Sequence, residues 1–125
     1  ILKPNMILAG NKSKNKISNE EVSSKTLECL KKSVPNEVPG IAFLSGGQSE
    51  IEASENLNEI NKLNDTNFLI TFSYGRGLQA SALKAFGRDM NDKKKIQIVF
   101  AHRAKMNGLS SKGEWSKELE KEAIA

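Results

Sequence analysis

Cysteine is almost missing from this chain. Cys29 stands alone in 125 residues, which excludes an internal disulfide and fits a reducing, cytosolic setting. His102 is the one histidine, so a zinc constellation within this segment lacks ligands. No apolar run approaches the roughly 20 residues that a membrane-spanning helix needs. Aromatic residues make up only 6%, and none interleaves with the basic runs at Lys12–Lys16, Lys31-Lys32 and Lys93–Lys95. Those runs supply much of the net charge of +4 and read as solvated faces rather than a nucleic-acid groove. The opening residues, Ile1-Leu2-Lys3-Pro4, lack an initiator methionine and any basic segment followed by an apolar one. They are no signal peptide, and the chain reads as starting inside a larger protein. The length suits one domain with a core and is too short for two.

What is present is organised around Phe68-Leu-Ile-Thr-Phe-Ser-Tyr-Gly-Arg-Gly-Leu-Gln-Ala-Ser-Ala-Leu-Lys-Ala-Phe86. Its first part is a β-prone apolar run that suits a strand buried on both faces of a parallel sheet. Its second part sets Leu78, Ala82 and Phe86 at helical spacing. Between them lies Tyr74-Gly75-Arg76-Gly77. A strand, a glycine turn and a helix start leave backbone N–H groups free at the positive end of a helix. A phosphate there meets those donors and a guanidinium able to bond it through two parallel N–H groups.

The same device occurs earlier. Pro35 and Pro39 bracket a connection, Ile41–Leu44 reads as a short buried strand, and Ser45-Gly46-Gly47 follows at once. Gly46 and Gly75 lie 29 residues apart, one strand-helix repeat. Ser49 with Glu52 forms a capping box, opening a helix whose core stripe is Ala53, Leu57, Ile60 and Leu63. Upstream, Ser18 with Glu21 forms another capping box, for a helix over 19–33 that turns Val22, Thr26, Cys29 and Leu30 inward. Cys29 reads as packing rather than a nucleophile. Residues 7–17 are loop. Asn91 caps a last long helix through about Asn107, with Ile96, Val99, Phe100, Arg103 and Ala104 on one side, and Gly108 ends it. His102 reads as structural or surface. Residues 109–125 are polar, with a short helix over 118–124 anchored by Trp115.

Ile1-Leu2 reads as a strand tail, with Lys3 held extended at its last position by Pro4. The order strand, helix, strand, helix, strand, helix implies parallel strands with right-handed crossovers, all opening onto one ligand-binding face. That face collects Lys3, Ser45, Gly46, Gly47, Ser73, Gly75 and Arg76. From spacing alone, Lys3 is either a point charge beside a bound phosphate or a nucleophile. An ordinary lysine at pH 7 is neutral in about one molecule in a few thousand. Burial or a second cation would free its amine for attack on a carbonyl.

Leu2-Lys3-Pro4-Asn5-Met6, Phe43-Leu44-Ser45-Gly46-Gly47, and Phe72-Ser73-Tyr74-Gly75-Arg76 with Leu78-Gln79-Ala80-Ser81-Ala82 together resemble class I fructose-bisphosphate aldolase. The likeness runs from Ile1 to about Trp115 and includes Val34-Pro35 and Val38-Pro39-Gly40. It implies an α/β fold, the C-terminal part of a cytoplasmic (β/α)₈ TIM barrel: the end of strand six, then strands seven and eight with their helices. It implies a homotetrameric lyase of glycolysis that cleaves fructose 1,6-bisphosphate into dihydroxyacetone phosphate and glyceraldehyde 3-phosphate. The family uses a Schiff-base lysine and no metal or cofactor. By motif that lysine is Lys3, and Ser45, Gly46, Gly47, Ser73, Gly75 and Arg76 hold the C1 phosphate.

The resemblance also marks departures. The family's acid/base carboxylate, other catalytic lysines and far-phosphate groups belong to earlier strands, which these residues do not include. Gly77 stands where relatives commonly have Ala, loosening the helix's first turn by up to ~1 kcal/mol. Eukaryotic relatives end in a tyrosine that assists proton transfer; here Tyr74 is the only tyrosine. Three strand-helix units cannot close an eight-stranded barrel, so the segment alone is expected to be inactive and poorly folded. Two other readings stand beside the lyase. One is a phosphate-binding barrel in which Lys3 is electrostatic only. The other is a scaffold binding actin or the acidic tails of adhesins through a basic barrel mouth. Neither nucleic acid nor membrane is an expected partner.

Overall fold

Pairs of short polar side chains start the first two helices of the computed structural model, which describes residues 1–122. Helix α1 (Asn19–Ser33) begins at Ser18, whose side chain accepts from the Glu21 amide at 3.2 Å. The reciprocal bond expected from Glu21 is missing, so only half of that box forms. Strand β1 (Gly40–Phe43) leads to α2 (Glu50–Leu63), where the Ser49–Glu52 box forms in both directions. Strand β2 (Leu69–Phe72) is followed by α3 (Arg76–Arg88) and α4 (Lys93–Ser110).

The two strands pair in parallel, Ile41 with Ile70 and Phe43 with Phe72. On the far side of β1, Leu2 forms a parallel bridge to Ile41. Its amide donates to the Gly40 carbonyl at 3.0 Å and its carbonyl accepts from Ala42 at 2.9 Å. The expected strand tail is therefore real, and the order across the sheet is Leu2, β1, β2. One sheet face, with Ile41, Phe43 and Ile70, packs against Val22, Leu27 and Leu30 of α1 and Ala53, Leu57 and Ile60 of α2. Helices α3 and α4 lie against each other and against α2. Among the described residues, no helix is long and apolar enough to cross a membrane.

Several expectations of burial fail, because no layer among the described residues covers these side chains. Leu69 is 77% exposed, so β2 is buried on one face rather than two. Leu63, Phe86 and Phe100 are exposed as well. Only the C-terminal half of α4 is buried, through Arg103, Met106, Asn107 and Ser110. Cys29 is exposed for another reason. Ser23 and Leu27 join Val22, Thr26 and Leu30 in the buried face of α1, and this turns the stripe away from position 29.

Helix α4 is capped by Asp92, whose side chain accepts from the Lys95 amide at 2.9 Å, and not by Asn91. It runs through Gly108 to Ser110, because Asn107 and Ser110 are both buried on it. Lys93, Lys94 and Lys95 all face solvent, as expected. The terminal helix shrinks to a single turn, Leu119–Lys121. The part expected through Ile124 extends outside the described residues. Trp115 does anchor this end: its amide donates to Asn58 at 3.0 Å and its indole to Glu120 at 2.8 Å. Arg103 donates two bonds to the Glu120 carboxylate, and His102 lies 3.1 Å from it. That settles His102 in a structural contact.

Candidate anion and amine site at the strand ends

Because the strands are parallel, their C-terminal ends share one edge, and a run of backbone contacts ties that edge together. The Leu44 amide donates to the Pro4 carbonyl at 3.0 Å, next to Lys3. The Ser73 amide donates to the Phe43 carbonyl at 2.8 Å. Gly46 passes close to the Lys3-Pro4-Asn5 turn: a Cβ there would sit 3.5 Å from the Asn5 side-chain nitrogen and 2.9 Å from Leu44. Gly47 has φ of 81°, a left-handed conformation that favours glycine. An open cleft of about 340 Å³ lies beside this turn, lined by Asn5, Met6, Gly46, Gly47 and the loop residues Leu8–Asn11.

The parallel order sets Lys3, Ser45, Gly46, Gly47, Ser73, Gly75 and Arg76 at the same edge of the sheet. Lys3, Gly47, Gly75 and Arg76 are exposed, Gly46 and Ser73 half-buried, and Ser45 buried. Since Lys3 is exposed, the burial that the nucleophile reading asks for is not supplied by the described residues.

The two glycine turns differ more than their sequences suggest. The start of α2 is closed by its own Ser49 and Glu52. The start of α3 has no capping side chain on Gly75. Its Gly77 amide instead donates to the Ser45 hydroxyl of the neighbouring turn at 3.1 Å. A hydroxyl that accepts this bond keeps its own proton for a ligand oxygen. Arg76, the first residue of α3, stands at the positive end of the helix, where Gly75 supplies no cap and anions are favoured.

Further ties hold α3 in place. The Tyr74 hydroxyl donates to the Ala53 carbonyl at 2.9 Å, and burial pushes this phenol well above its ordinary value. The Ser81 amide and hydroxyl both donate to the Glu50 carboxylate, the amide bond being 2.9 Å. The Asn107 side chain donates to the Gly77 carbonyl at 3.4 Å. The sequence assigns no tie of this kind to Glu50, Ser81 or Asn107, although Ser81 stands in the Leu78–Ala82 motif and Asn107 near the expected helix end. Each acts across a long stretch of chain, so no local spacing signals it.

The family described as fructose-bisphosphate aldolase class-I matches residues 1–125. Aldolase B of Sparus aurata is 53% identical over 92% of this chain and 32% of its own length. Aldolase 1 of Toxoplasma gondii is 47% identical, with the same coverage of both chains. A solved chain of the Plasmodium falciparum aldolase, crystallised with TRAP and a small-molecule inhibitor, superposes with a TM-score of 0.84. It is 45% identical and covers 92% of this chain and 33% of that one. The chain spans about a third of the length of the curated relatives it matches.

Proposed function

We propose, because this chain belongs to the class I fructose-bisphosphate aldolase family, that it supplies the amine and the C1-phosphate cradle of such an enzyme. On this reading it is the C-terminal part of a (β/α)₈ barrel, from the end of strand six through strand eight. Residues 109–125 form the tail region, and the whole protein is a cytoplasmic homotetramer. The observation that carries the reading is the shared rim. The order Leu2, β1, β2 sets Lys3 and Arg76 at the same ends of parallel strands, and Ser45 links the two turns.

The chemistry follows from those placements. The C1 phosphate of fructose 1,6-bisphosphate takes the Ser45 hydroxyl, the backbone of Gly46, Gly47, Ser73 and Gly75, and the Arg76 guanidinium. Held there, the substrate offers its C2 carbonyl to the free amine of Lys3. Attack and loss of water give a protonated imine. The C3–C4 bond then breaks, its electron pair moves into the imine to form an enamine, and glyceraldehyde 3-phosphate leaves. Protonation at C3 and hydrolysis return Lys3 and release dihydroxyacetone phosphate. The base that removes the C4 hydroxyl proton comes from strands upstream of these residues.

The test uses a full-length barrel, with these 125 residues joined to the upstream part of the Sparus aurata relative. Cleavage of fructose 1,6-bisphosphate that resists chelators and disappears in Lys3→Met supports the reading. Full cleavage by Lys3→Met contradicts it. A second reading, a binding scaffold, is favoured by the Plasmodium relative solved with TRAP. It predicts salt-sensitive binding of TRAP that survives Lys3→Met.

A further inference from the structure

We propose that Glu50 is a positioning residue for the anion cradle, acting through Ser81 to hold Arg76 in place. Glu50 is the first residue of α2, and the cap of α2 is already complete without it through Ser49 and Glu52. Its carboxylate instead crosses to α3, where it accepts the Ser81 amide at 2.9 Å and the Ser81 hydroxyl. Bonds to a carboxylate are stronger than neutral ones, and a two-point contact fixes direction as well as distance. Ser81 lies five residues after Arg76, about one and a half turns along the same helix.

The need for such a tie is visible at the start of α3. Gly75 offers no capping side chain, and the residue before Arg76 is therefore held only by backbone bonds. The Leu78 and Gln79 amides both donate to the Gly75 carbonyl, at 3.0 and 3.1 Å. A single hydrogen bond, from the Gly77 amide to the Ser45 hydroxyl, ties the first turn of α3 directly to the Ser45-Gly46-Gly47 turn. One bond fixes a distance but leaves the helix free to pivot about it; a second grip further along α3 removes that freedom. Glu50 sits three residues after the first lip and grips the helix that carries the second. This inference rests on the cradle proposed above, though not on the Schiff base.

The experiment separates the two. In the full-length barrel, inorganic phosphate affinity, cleavage kinetics and thermal melting are measured for Glu50→Ala, Glu50→Gln and Ser81→Ala. Glu50→Ala is expected to weaken phosphate and raise KM about tenfold, with kcat changed less than about twofold. Glu50→Gln keeps one acceptor and gains a donor for the Ser81 hydroxyl, so it should recover most of the affinity. Ser81→Ala keeps the amide bond and should show the same effect in smaller measure, about threefold. If Glu50→Ala does not fold, the other two variants decide. Phosphate affinity unchanged in Glu50→Ala and Ser81→Ala overturns the inference, as does a parallel fall of kcat and affinity that follows the folded fraction. A protein without cleavage activity whose phosphate binding still depends on Glu50 would sink the lyase reading and leave this one standing.

Discussion

The Ser45 hydroxyl accepts the Gly77 amide at 3.1 Å, and the two residues are so close that a Cβ on residue 77 fits only if Ser45 shifts. A Cβ on residue 77 would lie 2.7 Å from the Ser45 Cβ and 2.9 Å from its Oγ. Gly77→Ala gains about 1 kcal/mol of helix propensity against an overpacking cost of about 1–3 kcal/mol. The second effect wins because the obstructing atoms include a Cβ, which cannot swing aside. The variant should be less stable by about 1 kcal/mol and bind phosphate on the order of tenfold more weakly. Denaturant unfolding and phosphate titration check both.

Arg76 is the first residue of α3, at the positive end of the helix, where planar recognition counts. Replacing it with Lys keeps the charge and loses the paired N–H donors. Arg76→Lys should weaken phosphate binding by about tenfold, and Arg76→Met by more. Equal affinity for Arg and Lys at this position would reduce the guanidinium to a point charge.

Tyr74 gives a pH signature. Its phenol is buried and donates to the Ala53 carbonyl, and burial raises its pKa above the ordinary 10.0. A group raised in the folded state contributes stability that is complete below the unfolded value and is lost as pH rises past it. Ultraviolet titration should show no phenolate at pH 10, where a free tyrosine is half ionised, and phenolate should appear together with unfolding. In Tyr74→Phe the alkaline loss of stability should shrink.

Glu120 gives the opposite sign. Burial on its own would raise this carboxyl, but hydrogen bonds from Arg103, Trp115 and His102 and the Arg103 charge outweigh it and hold it below the ordinary 4.5. Its contribution is therefore complete above about pH 4.5 and fades as pH falls through the lower folded value. Arg103 is 5% exposed, so removing its partner strands a buried charge. Glu120→Ala should cost about 3 kcal/mol and release Trp115, seen as a red-shifted indole emission. Acid unfolding should become less steep in the same variant.

Much of the fold was legible because local chemistry decides it. Ser49 with Glu52 caps a helix whatever surrounds it, and the run from Leu69 to Phe72 is too β-prone to be anything but a strand. The glycine turns and the parallel order followed from spacing. What the sequence could not show depends on neighbours. Cys29 and Leu27 differ by a fraction of a turn, and only the helix opposite α1 selects which faces inward. Leu69, Phe86 and Phe100 are exposed because nothing among the described residues packs over them, which local spacing does not reveal. At the site, the seven rim residues could be read from their motifs, whereas Glu50, Ser81 and the Ser45–Gly77 bond join distant segments and carry no local signal.

The central claim is a covalent one, and mass spectrometry addresses it most directly. The full-length barrel is incubated with dihydroxyacetone phosphate, reduced with borohydride and digested. A secondary-amine adduct is expected on the peptide containing Lys3, absent when phosphate saturates the Arg76 turn. An adduct on another lysine, or none at all from protein that binds phosphate at that turn, would contradict it.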